Sequence, residues 1–239
     1  MKAIIIGATS GIGRELAKQM SSEGVILGVT GHRVELLTSL QKYLASPSFI
    51  KEMDLNDPVK SAGTLKELFS EMGEVDLIII SAGVGNVDRK FLLEDELATV
   101  STNVVGFTAM ANTAYHYLSE RGCGHIVGIS SVAAVRGGPF ASYNASKAYV
   151  SSFLEGLICR AKLQNIHIDV TDIRPGFVDT DMAKGVAPSM CAPVEKAARQ
   201  IHQAIKKRKR IAYITKRWRV IAAILSSLPF TLYKTLISK

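Results

Sequence analysis

The chain has 239 residues, 47% hydrophobic and 7% aromatic, which is enough apolar material for one sizeable core. No Pro/Gly/Ser-rich linker divides it and no internal repeat is visible, so residues 1–239 read as a single domain. The net charge of +8 is uneven: residues 195–239 carry twelve Lys/Arg against one Asp/Glu, while residues 1–194 carry seventeen against twenty, so a uniformly basic surface for nucleic acid is not supported.

Cys123, Cys159 and Cys191 lie far apart, with neither metal-ligand spacing nor a paired framework. They read as reduced thiols of a cytoplasmic protein, and no metal is expected. The strand-like run from Lys2 to Ile6 is too short for a signal peptide and meets a glycine turn at once, so no secretion is expected.

In chain order, short runs rich in Val, Ile and Leu alternate with segments of helical period. Strands are predicted near 2–7, 25–30, 49–54, 75–80, 124–130, 166–173 and 211–214. Helices are predicted near 11–22, 34–45, 58–72, 94–119, 142–163 and 193–207. This alternation predicts an α/β fold: a Rossmann-type, doubly wound parallel sheet of about seven strands with helices on both faces. In such sheets ligands bind beyond the carboxyl ends of the strands, where the strand order reverses.

The first strand runs into Gly7-Ala8-Thr9-Ser10-Gly11-Ile12-Gly13 before a helix. Glycine permits positive φ and a close backbone approach, and the helix start offers free N–H groups and a positive dipole end to a pyrophosphate. The second strand ends at Gly31-His32-Arg33. An acid here would accept from a ribose 2′-hydroxyl and favour NAD; Gly31 stands in that place, and His32 and Arg33 could meet a 2′-phosphate. The alternative for Arg33 is a solvated side chain at a helix start. Asp54, with Leu55 beside it, ends the third strand as a candidate adenine contact.

Tyr143 and Lys147 are four apart in a helical stretch and share a face. A nearby ammonium favours phenolate and is expected to lower the tyrosine pKa, so that it exchanges a proton with a substrate oxygen near neutral pH. Upstream, the strand His125 to Ile129 ends in Ser130-Ser131, whose hydroxyl could hydrogen-bond that oxygen.

Together, the glycine turn, the Ser-Ser strand end and Tyr143-x-x-x-Lys147 resemble the short-chain dehydrogenase/reductase family. Ser81-Ala82-Gly83 stands where the family usually has Asn-Ala-Gly, Asn103 matches its helix asparagine, and Pro175-Gly176-Phe177-Val178-Asp179-Thr180 matches its segment beside the nicotinamide. The resemblance covers about residues 2–215. It implies an oxidoreductase passing a hydride between a carbonyl/alcohol pair and NADP(H), with NAD(H) as the alternative cofactor. Tyr143 would be the general acid or base. Lys147 would bind the ribose hydroxyls and lower the Tyr143 pKa, Asn103 would hold a water linking Lys147 to solvent, and Val178 and Thr180 would contact the carboxamide. Spacing to the tyrosine points to Ser130, whereas the strand pattern points to Ser131; a one-residue slip flips a side chain to the other face, so Ser131 is chosen. Family precedent adds a homodimer or homotetramer packed through 94–119 and 142–163.

Lys206-Lys207-Arg208-Lys209-Arg210 reads as a solvated turn rather than a nucleic-acid patch. Residues 216–239 form a basic, then apolar, helical extension. Pro229 and Lys234 make 220–237 a poor bilayer span. One reading is an apolar helix that closes over the substrate cleft or packs on a second subunit. The other is an interfacial membrane anchor with cations and Trp218 at headgroup level. Either suits an apolar substrate, and 181–195 is expected to be a lid. A non-catalytic NADP(H)-binding regulatory or membrane-associated protein is the rival class.

Overall fold

Apolar runs become strands here because both of their faces are covered. In a computed structural model, which describes residues 1–85, 91–183 and 187–237, β1 (Lys2–Ile6) is Lys-Ala-Ile-Ile-Ile with Ala3 to Ile6 buried. Beside it lie β2 (Ile26–Gly31) and β3 (Ser48–Glu52) on one side, and β4 (Leu77–Ile80), β5 (Cys123–Ile129), β6 (His167–Pro175) and β7 (Ile211–Ile214) on the other. All pairings are parallel, in the order β3-β2-β1-β4-β5-β6-β7. The chain reverses its direction of travel between β1 and β4, which opens a crevice at their carboxyl ends.

Helices cover both faces. α1 (Gly11–Ser22), α2 (Val34–Gln41) and α7 (Val194–Lys206) pack one core around Ile5, Leu27, Val29 and Ile79. The other core gathers Ile4, Ile6, Ile78 and Ile80 beneath α3 (Pro58–Met72), α5 (Phe107–Arg121) and α6 (Ala141–Leu163). In α6 the buried positions 147, 150, 154, 157 and 161 recur at three- and four-residue steps, the period of a core-facing stripe. Its one charged member is Lys147.

The long helix expected over 94–119 is divided. α4 (Leu93–Val100) leads into a π-helical turn at Ser101–Gly106 and only then into α5. Such wide turns interrupt helices chiefly at functional sites. This one turns Thr102, Asn103 and Gly106 inward. The helix expected to reach residue 45 stops at Gln41. The apolar tail expected over 220–237 is likewise two helices, α8 (Arg217–Ser227) and α9 (Phe230–Ile237). Pro229 cannot donate to a helix and drives Leu228 into the extended region, at φ −64 and ψ 134.

The tightest joint is the first turn. A Cβ on Gly13 would lie 2.1 Å from the Gly7 carbonyl oxygen, so α1 approaches β1 backbone to backbone. Gly13→Ala is therefore expected to lower the unfolding free energy by about 2 kcal/mol or more, the scale of overpacking a rigid site. A denaturant midpoint equal to that of the parent chain would contradict this.

Candidate active site

The site is assembled at the carboxyl ends of β1, β2, β4, β5 and β6. Gly7 takes φ +89, and a Cβ there would lie 2.5 Å from the Ala82 amide nitrogen; the amides of Ser81 and Ala82 both donate to the Ile6 carbonyl at 2.8 Å. The β1 and β4 ends are thus locked together. Ser10 caps α1 by position, yet its side chain makes no cap hydrogen bond. The α1 amides and the left-handed Gly11, at φ +54, form a concave anion cradle. Ile12 packs partly buried against the core, and a Cβ on Gly11 would touch the Thr180 methyl at 3.2 Å. The glycine turn therefore faces the segment that follows β6.

On the β2 side, Arg33 Nη2 donates to Thr9 Oγ1 and Ser10 Oγ, both at 2.9 Å. Its Nε is buried and finds no acceptor among the described residues. A Cβ at Gly31 would come 2.5 Å from Thr9 Cγ2, so a side chain there would require the Thr9 methyl to move. His32 is exposed. Asp54 is exposed too, and its Oδ1 accepts from the Asn56 amide and Nδ2 at 3.0 Å. Leu55 is buried against Gly106 of the π turn.

The two serines part company. Ser130 Oγ turns to the Asp172 carboxylate and the Ile173 carbonyl. Ser131 lies within hydrogen-bonding reach of the Tyr143 phenol, accepts from Ala133 N at 3.0 Å and leans on the Pro175 carbonyl at 3.4 Å. Tyr143 is half-buried, its ring edge against Gly85. Lys147 is buried, with Nζ 3.1 Å from the Ile129 carbonyl and 5.7 Å from the centre of the Tyr143 ring. A Cβ on Gly83 would sit 3.1 Å from that Nζ and 3.2 Å from Asn103 Oδ1, so all three converge. Asn103 spends its amide on the Val84 backbone, accepting at 2.8 Å and donating at 2.7 Å, and on Ser146 Oγ at 3.1 Å. It braces the 81–84 turn beneath Lys147.

The electrostatics correct one expectation. Tyr143 is not lowered: loss of solvent raises its phenol above the ordinary value, and the Ser131 hydrogen bond only partly opposes this. Burial pushes the Lys147 amine down to about 8, while the Asp172 carboxylate pulls it back up. Asp172 is buried and receives Arg174 Nε at 2.7 Å; Arg174 in turn reaches the Tyr213 hydroxyl at 3.1 Å. The sequence reading missed this network, although an acid and an arginine inside an apolar strand were a visible signal.

After β6, Gly176 N donates to the Ile214 carbonyl at 2.6 Å, Val178 is buried, and Thr180 Oγ1 points to the Val178 carbonyl at 3.3 Å. Ala192 N donates to the Phe177 carbonyl, and Asp179 N to the Ala192 carbonyl, which stitches the base of the expected lid. Within 181–195, residues 184–186 lie outside the described residues. Trp218 is not at a headgroup level: it is buried, its indole nitrogen would lie 1.9 Å from a Cβ on Gly176, and its ring meets Phe177 edge-on at 5.4 Å. Only glycine admits it there. The tail thereby roofs the crevice from the β6 side.

A family model described as short chain dehydrogenase matches residues 1–190. An uncharacterized oxidoreductase of Mycobacterium tuberculosis is 35% identical over 198 residues, covering 79% of this chain and 78% of that one. A short chain dehydrogenase from Burkholderia cenocepacia in complex with NADP superposes with a TM-score of 0.84 at 23% identity, over 99% of this chain and 97% of that one. A short chain dehydrogenase/reductase from Burkholderia phymatum in complex with NAD gives 0.83 at 20% identity, over 93% and 91%.

Lys147 supplies a pH test. The unfolded amine keeps its proton to about pH 10.4, whereas the folded one releases it near 8. The cost of burying the charge is therefore complete below pH 8 and is relieved as pH rises from 8 toward 10.4. Relative to Lys147→Met, the parent chain should gain stability across that window. Urea midpoints measured from pH 6 to pH 10 check it; a constant offset between the two proteins would refute it.

Proposed function

The chain belongs to the short chain dehydrogenase family of nicotinamide-dependent oxidoreductases, and from that premise we propose that it reduces an apolar carbonyl substrate with NADPH, Tyr143 providing the proton. The observation that carries this reading is the convergence of Ser131, Tyr143 and Lys147 at the strand ends, across from the glycine cradle and Thr180. When bound, the nicotinamide supplies or accepts the hydride.

The residues divide the remaining work. Ser131 and the Tyr143 hydroxyl hold the substrate oxygen. Tyr143 then gives its proton to that oxygen in reduction, or takes one from the alcohol in oxidation. A phenol raised by desolvation is protonated at neutral pH, which suits the reductive direction. The Lys147 ammonium favours phenolate once the proton has left, and would hold the ribose hydroxyls. Asn103 keeps the 81–84 turn in place beneath Lys147, and a relay water would have to use its remaining acceptor capacity. Val178 and Thr180 would meet the carboxamide. Gly7, Gly11 and Gly13, with the amides of Ser10 and Ile12, would cradle the pyrophosphate, and Asp54 and Leu55 would flank the adenine.

NADP(H) rather than NAD(H) is supported by the Arg33 guanidinium. It is already oriented by Thr9 and Ser10, carries a buried N–H without an acceptor among the described residues, and lies beside Gly31, which offers no carboxylate to a ribose 2′-hydroxyl. Exposed Leu93, Leu97 and Val105 on α4 and the π turn support this face as a subunit contact, in keeping with a homodimer or homotetramer.

Tyr143→Phe is expected to lower NADPH oxidation on a carbonyl panel by about 10²–10⁴-fold, the usual contribution of a positioned acid, with the fold intact. Equal rates would sink the mechanism. Arg33→Ala should raise the Kd for NADPH about tenfold or more, as expected for losing a charge-assisted pair, and leave NADH nearly unchanged. Equal weakening of both cofactors by fluorescence titration would refute the assignment of Arg33.

A further inference from the structure

The C-terminal pair α8–α9 has two unlike sides. Its inner side is bolted to the rim of the cleft. Trp218, Ala222 and Tyr233 are buried, and Arg136 Nη1 donates to the carbonyls of Leu225 at 2.8 Å and Leu228 at 2.6 Å. The same guanidinium lies 4.2 Å over the Tyr233 ring, whose hydroxyl donates to the Gly137 carbonyl at 2.5 Å. Arg217 Nη2 reaches the Met190 carbonyl at 2.5 Å. The pair is therefore a fixed part of the molecule.

Its outer side is apolar and cationic at once. Val220 and Ile224 stand four apart on α8, exposed at 61% and 54%; on α9, Phe230 is exposed at 69%, with Leu232 and Leu236 exposed as well. Lys216 and Arg219 are exposed beside them. No Asp or Glu follows Glu195 in the sequence. On each helix one pair of large side chains four apart, Val220 with Ile224 and Leu232 with Leu236, is exposed, and exposed cations stand beside the first pair; such a surface is built to be covered.

We propose that this face docks on an anionic lipid bilayer, with α8 and α9 lying flat in the interface. An anionic membrane offers both things the face needs: an apolar phase for Ile224 and Phe230, and negative headgroups for Lys216 and Arg219. A second copy meeting the same face about a two-fold axis would set like charges against each other with no acid on the segment to offset them. Crossing is not the mode. α8 has 11 residues and α9 has 8, and among the described residues no helix is long and apolar enough to span a membrane. The docking is independent of the reaction proposed above.

Vesicle co-sedimentation of the full chain decides it. Phosphatidylcholine vesicles with about 30 mol% phosphatidylglycerol should carry down about tenfold more protein than pure phosphatidylcholine at low salt, with a loss as salt rises. Ile224→Asp combined with Phe230→Asp should abolish sedimentation while leaving NADPH binding unchanged. Should that variant fail to fold, Lys216→Ser with Arg219→Ser should weaken binding to the anionic vesicles several-fold. Absence of binding to either vesicle would overturn the proposal, as would equal binding to both. So would an oligomer, seen by light scattering, that the aspartate variant dissolves while the parent chain ignores vesicles.

Discussion

A buried ammonium group sets the terms for the rest of this structure. Lys147 occupies a core position of α6, where an isolated charge is costly unless it is compensated. Its compensation comes from two directions. The Ile129 carbonyl at the end of β5 accepts from Nζ, and the Asp172 carboxylate on β6 supplies opposite charge. Asp172 is itself buried and is satisfied by Ser130 and Arg174. The α6 helix, the ends of β5 and β6, and their parallel register must therefore all be correct together. In that register Gly128 faces Asp172 and Ile129 faces Ile173, which places Ser130 over the carboxylate and turns Ser131 the other way, toward Tyr143. The difference between the two serines follows from strand alternation.

The other half of the crevice depends on what is missing from its side chains. Gly7 meets the Ala82 backbone, Gly13 meets the Gly7 carbonyl, and Gly31 meets Thr9, each closer than a Cβ would allow. These contacts bring β1, β2 and β4 to one point and leave backbone amides turned outward. The cradle is formed by close approach of main chain, and Arg33 adds a positive side chain to it. One half of the site is thus defined by a compensated charge, the other by bare backbone.

Much of this was legible in the sequence, for definite reasons. Strands buried on both faces are apolar without alternation, and helices keep their period, so the parallel sheet and most element bounds could be read directly. The glycine positions could be read because a glycine-rich strand-to-helix turn has few other uses. Two things were not legible, and a third was legible only in part. The π turn at Ser101–Gly106 has no local signature, since Ser-Thr-Asn-Val-Val-Gly fits an ordinary helix; its contacts, Gly106 on Leu55 and Asn103 on Val84, exist only in the fold. The raised Tyr143 pKa was missed because a neighbouring lysine can be seen in sequence, whereas desolvation of the phenol needs the fold. The break at Pro229 was visible but was weighed only against a bilayer span, not against helix continuity.

Of the two readings the sequence allows for the tail, the one with Trp218 at headgroup level fails for a more general reason. Tryptophan beside cations suits a membrane interface, and sequence cannot tell that pattern from tryptophan packed inward next to exposed cations. The structure decides by a vacancy at the end of the neighbouring strand: Gly176 leaves the space that the indole fills. The glycine of the Pro175-Gly176 segment and the tryptophan of the tail are thus a matched pair, and each makes sense of the other. Once Trp218 is committed inward, Ala222 one turn on shares its buried face, whereas Arg219, Val220 and Ile224, one, two and six residues away, point off that face and turn outward. The same packing choice that roofs the cleft therefore also creates the apolar, cationic surface on the far side of the roof. Any ligand admitted beneath Trp218 and any surface met by Ile224 are separated by the thickness of a single helix.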